Sequence, residues 1–326
     1  MLRKLIATLV LPLAALASPA PAQSLKEINF GIISTETSAH LKQNWQPLLD
    51  DMSRRTGLKI NAFFASDYAG IIEGMRFNKV QVAWFGNKSA MEAVNRASGE
   101  VFAQMVAPDG GQGYHSLLVV HRDSPVKTLD DVLRNGKSLS FGIGDPNSTS
   151  GYLVPMYYVF ALNKVEPRTH FKTVRGANHE TNLLAVVNKQ VDVATNNNEN
   201  LERFRTRFPE KAGDVRVIWQ SPLIPNDPLV WRKDLPADVK AKVKTFFTTY
   251  GSGGDAVREK DILQKLTTAG FKASDDRQLT PIRQLELFKD KIKIESDTAM
   301  GESEKKAKLD DINRKLAELS TQVAGK

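Results

Sequence analysis

Short apolar strands alternate with amphipathic helices along the first hundred residues, and this alternation constrains the fold more than any other feature of the sequence. Strand-like runs cover residues 27–33, 58–64 and 80–84, and helical spacing of apolar residues covers 40–55, 68–75 and 89–97. Only a few residues link each strand to the next helix. This pattern predicts an α/β fold with a parallel sheet flanked by helices, whose ligand crevice lies at the carboxyl ends of the strands.

A second alternation begins after Ser124-Pro125 and indicates a second lobe. Its strands are predicted near residues 138–141, 171–174, 191–195 and 215–219, with helices between them. The extended segments 114–122 and 222–232 flank this unit, and each would cross once between the lobes as part of a hinge. The predicted boundaries are 23–120 with 232–300 for lobe 1, 121–231 for lobe 2, and 301–326 for a C-terminal amphipathic helix.

The amino terminus has the composition of a secretory signal peptide. Arg3 and Lys4 precede an apolar run over residues 5–17, and Ala20-Pro21-Ala22 supplies the small residues that signal peptidase requires. Residues 1–22 are therefore expected to be removed on export. The sequence contains no cysteine, so the exported chain must be stabilised by its hydrophobic core instead of disulfides.

The charge balance argues against a nucleic-acid partner. The formal net charge is +8, but the 45 basic residues are scattered among 37 acidic ones, and no basic run is interleaved with aromatic residues. A mildly positive field would favour the approach of small anions.

Residues 140–151 read as a strand, a polar Asp-Pro-Asn turn and the start of a helix. Ser148, Thr149 and Ser150 place three hydroxyls at that start, where free N–H groups and the helix dipole favour an anion. The same hydroxyls are typical of an ordinary helix cap, so these residues by themselves leave both roles open. Pro155 predicts that the helix is irregular.

The C-terminal segment predicts a highly charged helix with a single apolar stripe. The stripe consists of Leu309, Ile312, Leu316, Leu319 and Val323, spaced three and four residues apart. Such spacing favours either packing on the chain's own lobe or a coiled-coil seam in a homodimer, and about two heptads leave both open.

Taken together, these segments resemble the periplasmic phosphonate-binding proteins of ABC transporters. The matching motifs run in order through the mature chain: Asn29-Phe-Gly-Ile-Ile-Ser-Thr-Glu36, Asp67-Tyr-Ala-Gly-Ile-Ile72, Gly74-Met-Arg-Phe-Asn-Lys79, Gly144-Asp-Pro-Asn-Ser-Thr-Ser-Gly151, His179-Glu-Thr181, Val191-Asp-Val-Ala-Thr-Asn-Asn197, Ser221-Pro-Leu-Ile-Pro225 and Pro281-Ile-Arg-Gln284. The resemblance implies a periplasmic protein with the two-lobed, type II-like binding-protein fold. It also favours the anion-binding interpretation of the three hydroxyls.

The resemblance implies two ends of a ligand site. The phosphonate would be held by Ser148, Thr149 and Ser150 with helix N–H groups, assisted by Tyr68 and His179. The organic end would contact Tyr114, Glu199 and Asp227. Carboxylates at that end suit the ammonium group of 2-aminoethylphosphonate. We therefore expect a receptor for organophosphonates, with 2-aminoethylphosphonate as the preferred ligand. It would deliver this ligand to an ABC permease in the inner membrane and would need neither a cofactor nor a metal.

The alternative within the same class is a receptor for phosphite, phosphate or another small oxyanion. It would use the same helix start but leave Glu199 and Asp227 close to a negative ligand without a cation. Three positions depart from the family's pattern: Phe85, His115 and Asn178. Any of them that lines the site would alter the pocket wall.

An enzyme is not expected. Ser148, His179 and Glu180 are residue types found in hydrolases, but the sequence lacks a Gly-x-Ser-x-Gly elbow. Its five histidines show no paired metal-ligand spacing, and the glycines near residue 143 lack the Gly-Lys-Ser/Thr end of a phosphate-binding loop.

Overall fold

Two β-sheets organise the chain in the computed structural model, which describes residues 25–253 and 255–324. The six-stranded sheet and its helices form lobe 1, and the five-stranded sheet and its helices form lobe 2. The predicted signal peptide over residues 1–22 lies outside the described residues. Within the described ranges, no helix is both long and apolar enough to cross a membrane.

Lobe 1 is built on a mixed sheet. In spatial order its strands are β13 (Gly270–Ala273), β4 (Gly99–Val106), β12 (Pro228–Arg232), β3 (Val82–Trp84), β1 (Glu27–Ile32) and β2 (Lys59–Phe64). Its helices are α1 (Ser38–Thr56), α2 (Tyr68–Arg76), α3 (Asn87–Arg96), α8 (Ala237–Thr249), α9 (Ala256–Lys265), α10 (Thr280–Ser296) and α11 (Glu302–Ala324). β1 runs parallel to β2 and to β3, which confirms the parallel arrangement predicted for the first three strands.

Lobe 2 carries the second alternation. Its strands are, in spatial order, β10 (Val215–Gln220), β6 (Ser116–His121), β9 (Val193–Asn197), β7 (Ser140–Ile143) and β8 (Thr173–Gly176). Its helices are α4 (Leu129–Asn135), α5 (Pro167–His170), α6 (His179–Val187) and α7 (Asn198–Arg207), together with π-helical stretches at Thr149–Leu153 and Met156–Ala161. β7 is parallel to β8 and β9, whereas β6 is antiparallel to β9 and β10.

Amphipathic spacing and capping explain the first helix. The apolar residues predicted for one face are all buried: Leu41, Trp45, Leu48, Leu49 and Met52. The Thr37 side chain accepts a hydrogen bond from the His40 N–H at the start, and Gly57 follows the end in the left-handed conformation at φ 70°. The helix therefore begins and ends where its sequence dictates.

Aromatic stacking fills the core of each lobe. In lobe 1 the ring centroids of Phe102 and Trp231 lie 4.2 Å apart, and in lobe 2 those of Phe141 and Phe171 lie 4.5 Å apart. Leu153, which ends the first π-helical stretch of lobe 2, and Val154 after it are buried in the core of lobe 1. The lobes therefore share an apolar contact.

A short antiparallel pair connects the two lobes. It consists of β5 (Gly113–Tyr114) and β11 (Ile224–Pro225). A Cβ atom on Gly113 would lie 1.8 Å from the carbonyl oxygen of Ile224, so this close crossing requires glycine. Since β6 pairs within lobe 2 and β12 within lobe 1, we propose that the chain changes lobes at this pair, before the boundaries predicted after residues 120 and 231.

Two regions differ from the predicted elements. The helix predicted over 259–269 ends at Lys265, because Thr267 adopts the left-handed conformation at φ 57° and β13 then pairs with β4. The strand predicted near 171–174 lies two residues later, because the Phe171 N–H donates to Pro167 O at 3.0 Å and so still belongs to the end of α5. α10 was not predicted, although Pro281 in its first turn is a typical start signal.

The C-terminal helix packs on the chain's own α10. Ile312 of its apolar stripe is buried, Leu309, Leu316 and Leu319 are partly buried, and Lys291 Nζ donates to Asn313 Oδ1 at 2.8 Å. One of the two predicted arrangements is thus present, while dimerisation through this helix stays a prediction.

Candidate functional site

A narrow cavity between the two lobes collects buried polar groups from both. Its lining includes all eight residues that were predicted to form the site: Tyr68, Tyr114, Ser148, Thr149, Ser150, His179, Glu199 and Asp227. The cavity measures about 10 Å³, which is room for about one water molecule. The space between the lobes is therefore nearly filled by their own side chains.

The turn after β7 positions the three hydroxyls. Gly144 N donates to Gly151 O at 3.0 Å, and the Thr195 hydroxyl donates to the same oxygen at 2.8 Å. A Cβ atom on Gly144 would lie 2.6 Å from the Gly151 backbone, so the turn closes only with glycine there. Residues 149–161 continue as a helical segment with two π-helical stretches, which confirms the irregularity predicted from Pro155.

Each of the three hydroxyls already accepts one hydrogen bond from an N–H group. Ser148 Oγ accepts from Gly151 N at 3.0 Å, Thr149 Oγ1 from Lys88 N at 2.8 Å, and Ser150 Oγ from Asn197 Nδ2 at 3.0 Å. A hydroxyl carries one donor hydrogen in addition to its acceptor sites. The three hydroxyls can therefore donate to an anion, and the capping and anion-binding roles are compatible.

His179 is the first residue of α6 and is held neutral. Its Nε2 lies 3.4 Å from Asn197 Nδ2 and 3.4 Å from Ser148 Oγ. Because Asn197 Oδ1 accepts from Asn200 N at 2.7 Å, the Asn197 amide orientation is fixed and Nε2 is the acceptor. Burial lowers the pKa of His179 to about 4, and Nδ1 finds no hydrogen-bond partner among the described residues. Its ring can offer a neutral N–H.

Tyr68 also connects the two lobes. It is the first residue of α2, and its backbone N–H donates to Asp145 Oδ2 at 3.2 Å, across from lobe 1 to lobe 2. Burial, followed by the charges of Asp145 and Asp227, raises the pKa of its phenol. Tyr68 therefore remains a hydroxyl donor at physiological pH.

Two carboxyl groups, those of Glu199 and Asp227, also line the cavity. Glu199 lies in the first turn of α7 in lobe 2, and Asp227 lies between β11 and β12 beside Tyr114 of β5. Asp227 is 7% exposed, and its Oδ1 has no hydrogen-bond partner within residues 25–253 and 255–324. An ionised carboxylate in such a place is stabilised by a cation or a hydrogen-bond donor that reaches it.

Burial controls the protonation of Glu199, Asp227 and the neighbouring Tyr114. It raises the pKa of Glu199 to about 7, against the lowering effect of the Arg203 charge. Burial and then the charge of Glu199 raise the pKa of Asp227 well above its usual value. Burial, followed by the Asp227 and Glu199 charges, also raises the pKa of Tyr114. A cation placed between the two carboxylates would reverse their shifts.

Four polar residues of the cavity were missed by sequence reasoning: Thr35, Trp84, Asn197 and Arg203. The Trp84 indole N–H and the Thr35 hydroxyl are buried without hydrogen-bond partners in the described part of the chain. Trp84 ends β3 and Thr35 follows β1, so their place at carboxyl strand ends was an available signal. The departures Phe85, His115 and Asn178 do not belong to the described cavity lining.

An ionic cluster beside the cavity joins the lobes and resembles a metal site in composition. Ligand atoms of Glu36, His40 and Glu180 lie within 4.8 Å of one another. Both carboxylates are already paired, because Arg207 NH1 lies 2.6 Å from Glu36 Oε2 and 2.9 Å from Glu180 Oε2. This arrangement supports an ion-pair contact between lobes instead of metal binding.

A larger groove lies elsewhere on the surface. It measures about 490 Å³ and runs between α10 and the segment that contains Met156 and Lys164. Its charged side chains are partly or fully exposed to solvent. The small cavity is the stronger candidate, because it alone of the two brings buried, unpartnered polar atoms together.

Comparisons with known proteins agree with this fold. A family model described as the periplasmic phosphonate substrate-binding protein of ABC transporters matches residues 30–279. The phosphonates-binding periplasmic protein of Escherichia coli is 54% identical over 321 residues, which cover 97% of this chain and 94% of that protein. The phosphate-import protein PhnD of Mycolicibacterium smegmatis is 28% identical over 230 residues, covering 68% of this chain and 70% of that protein.

A solved structure also matches over nearly the whole chain. The crystal structure of a binding protein component of an ABC phosphonate transporter from Pseudomonas aeruginosa is 55% identical and superposes with a TM-score of 0.89, covering 93% of this chain and 99% of that one. The two-lobed fold is therefore that of periplasmic binding proteins. This chain belongs to the family of periplasmic phosphonate-binding proteins of ABC transporters.

Proposed function

We propose that this chain is the substrate-binding component of an ABC importer and that its ligand is an organophosphonate with a cationic arm, of which 2-aminoethylphosphonate is the simplest. The observation that carries the proposal is that a single cavity is lined both by three hydroxyls that still have a hydrogen to donate and by two buried carboxyl groups. The protein binds and delivers its ligand and catalyses no reaction.

The hydroxyl end fits a phosphonate group. Ser148, Thr149 and Ser150 each have a hydrogen left to donate, and the three oxygens of a phosphonate only accept. The π-helical stretch begins at Thr149, so backbone N–H groups and the helix dipole add to the attraction. Tyr68 and the Nδ1–H of His179 supply further neutral donors at this end.

The carboxylate end fits an ammonium group. The unpartnered Oδ1 of Asp227 lies in the same cavity as Glu199, and their pKa values are raised by burial. An ammonium group between them would pair with both and favour their ionised forms. Two carboxylates would otherwise repel a ligand that carries only negative charge.

Calorimetric titration tests the proposal. The protein without its signal peptide is titrated with 2-aminoethylphosphonate, methylphosphonate, phosphate and phosphite at pH 7.5. We expect the amino compound to bind roughly 10 to 100 times more tightly than methylphosphonate, the factor for one charged hydrogen bond. Equal affinities for these two phosphonates would refute a role for the carboxylates in ligand choice.

A receptor for phosphate or phosphite is the second candidate, and the raised carboxyl pKa values favour it specifically. A protonated Asp227 can donate a hydrogen bond to an oxyanion instead of repelling it. The naming of the Mycolicibacterium relative as a phosphate importer is consistent with this candidate. In the same titration, tightest binding of phosphate or phosphite would favour it over the aminophosphonate.

A further inference from the structure

Arg203 belongs to lobe 2 but is held by lobe 1. It lies on α7, and its Nε donates to Glu36 Oε1 at 2.6 Å while NH1 donates to Thr267 Oγ1 at 3.2 Å. Glu36 is 3% exposed and follows β1, so the guanidinium is anchored on the opposite side of the interlobe contact. Opening the lobes must break both hydrogen bonds.

The same guanidinium lines the cavity that contains the two carboxylates. Arg203 is four residues after Glu199 on α7, and an acidic residue that precedes a basic one at this spacing can pair with it along the helix surface. Glu199 and Glu36 are therefore alternative partners for one arginine, one in its own lobe and one in the other.

We propose that Arg203 is a specificity-determining residue that changes its carboxylate partner when the lobes close, from Glu199 to Glu36. With the lobes apart, Glu36 is out of reach and Arg203 pairs with Glu199. On closure Arg203 turns to Glu36, and the cationic arm of the ligand takes its place at Glu199. This inference rests on the proposed function, because it assigns the exchange to a ligand with an ammonium group.

The exchange selects for ligand charge. A phosphonate with an ammonium group replaces the cation that Glu199 loses, so closure keeps every buried carboxylate paired. A phosphonate without an ammonium group provides no cation for Glu199. Arg203 then remains the only cation that can pair with Glu199, and this pairing disfavours the contact between Arg203 and Glu36. The charge of the ligand thus affects how favourable lobe closure is, in addition to its effect on the direct contact between Asp227 and the ligand.

Three variants separate this role from a purely structural one. Glu36→Gln weakens the closed-state partner of Arg203, Arg203→Met removes the competing cation, and Glu180→Gln is the matched control. Glu180 belongs to the same interlobe cluster and loses the same charge, but it pairs with Arg207 and His40 instead of Arg203. Thermal melts establish that each variant is folded. The readout is the ratio of the methylphosphonate Kd to the 2-aminoethylphosphonate Kd, measured by calorimetry.

We expect Glu36→Gln to lower this ratio roughly tenfold, Arg203→Met to raise it at least about threefold, and Glu180→Gln to weaken both ligands without changing it. Equal ratios in Glu36→Gln and Glu180→Gln, or a lower ratio in Arg203→Met, would overturn the exchange. If Glu36→Gln does not fold, the sign of the Arg203→Met change decides.

The ratio measured for the wild-type protein distinguishes a failure of the proposed function from a failure of the exchange at Arg203. A wild-type ratio near one would defeat the proposed function, and with it the premise of the exchange. A high wild-type ratio that none of the three variants changes would defeat the exchange alone.

Discussion

Asp227 shows how a single residue is made ready for a ligand by its surroundings. Burial and the charge of Glu199 raise its pKa, and its Oδ1 finds no partner among the described side chains. Leaving a buried acceptor unpaired costs about 1 to 3 kcal/mol, so such a group is unusual in a native protein. A ligand ammonium group would remove this cost in the bound state.

Replacing Asp227 by asparagine keeps the shape of the side chain and removes its charge. We expect Asp227→Asn to weaken 2-aminoethylphosphonate by roughly 1.5 to 3 kcal/mol, the range for a hydrogen bond to a charged group, and to leave methylphosphonate nearly unchanged. The control is Asp234→Asn, since Asp234 pairs with Arg232 outside the cavity. Calorimetry that shows equal losses for both ligands in Asp227→Asn would contradict the assigned contact.

At the scale of secondary structure, the helical segment that begins at Thr149 and α3 meet at their starts across the interlobe contact. Gly86 precedes α3 and has no side chain to cap it, and the Thr149 hydroxyl of lobe 2 accepts from the Lys88 N–H instead. One hydroxyl therefore caps a helix of lobe 1 and offers its hydrogen to a ligand. Loss of that hydroxyl should affect ligand binding and lobe contact together.

Thr149→Val tests this double role with a side chain of the same shape. The substitution removes the acceptor for Lys88 N and one donor for the phosphonate, so we expect every phosphonate to bind roughly 10 to 100 times more weakly. Thr173→Val changes an exposed threonine on β8 and serves as the control. A titration in which only the aminophosphonate loses affinity would show that Thr149 does not contact the phosphonate group.

At the scale of the whole molecule, contacts between the lobes lie on both sides of the cavity. Residues 153 and 154 pack into the core of lobe 1 on one side, and Glu36 of lobe 1 pairs with Arg203 and Arg207 of α7 on the other. Closure also buries Glu199, whose raised pKa links the stability of the ligand-free protein to pH.

The sign of this linkage follows from the direction of the shift. Glu199 titrates near 4.5 when unfolded and at about 7 when folded. The folded state therefore holds the proton more tightly, and the contribution of Glu199 to stability is fully present below pH 4.5 and is lost as the pH rises through 7.

We expect wild-type stability, measured relative to Glu199→Gln, to fall by about 1 to 3 kcal/mol between pH 4.5 and pH 8. Denaturant unfolding at several pH values, without ligand, measures this difference, and the titrations of groups that do not interact with Glu199 cancel between the two proteins. Glu202→Gln, at an exposed position of the same helix, should show no such trend. A constant difference across this range would refute the shifted pKa of Glu199.

Local sequence patterns predicted most elements, and the family resemblance supplied the eight residues that the structure brings together in one cavity. Alternation located the strands and helices of both lobes, and Pro155 indicated the irregular helix. The end of α9 and strand β13 were missed, because β13 exists through its pairing with β4, which is more than 160 residues away. Trp84 and Arg203 were missed because no local pattern shows which strand ends and helix faces meet in one cavity.

The sequence by itself determined the α/β class, the two-lobed arrangement, the hydroxyl-bearing turn and the charged amphipathic helix at its end. These follow from residue periodicity, turn chemistry and short-range motifs, which act over a few turns of chain. Tertiary structure alone decided that Arg203 pairs with Glu36, 167 residues away, and that Thr149 caps a helix of the other lobe. The physical reason is that such contacts depend on how two separately folded sheets are brought together, and a linear pattern does not encode the distance between them.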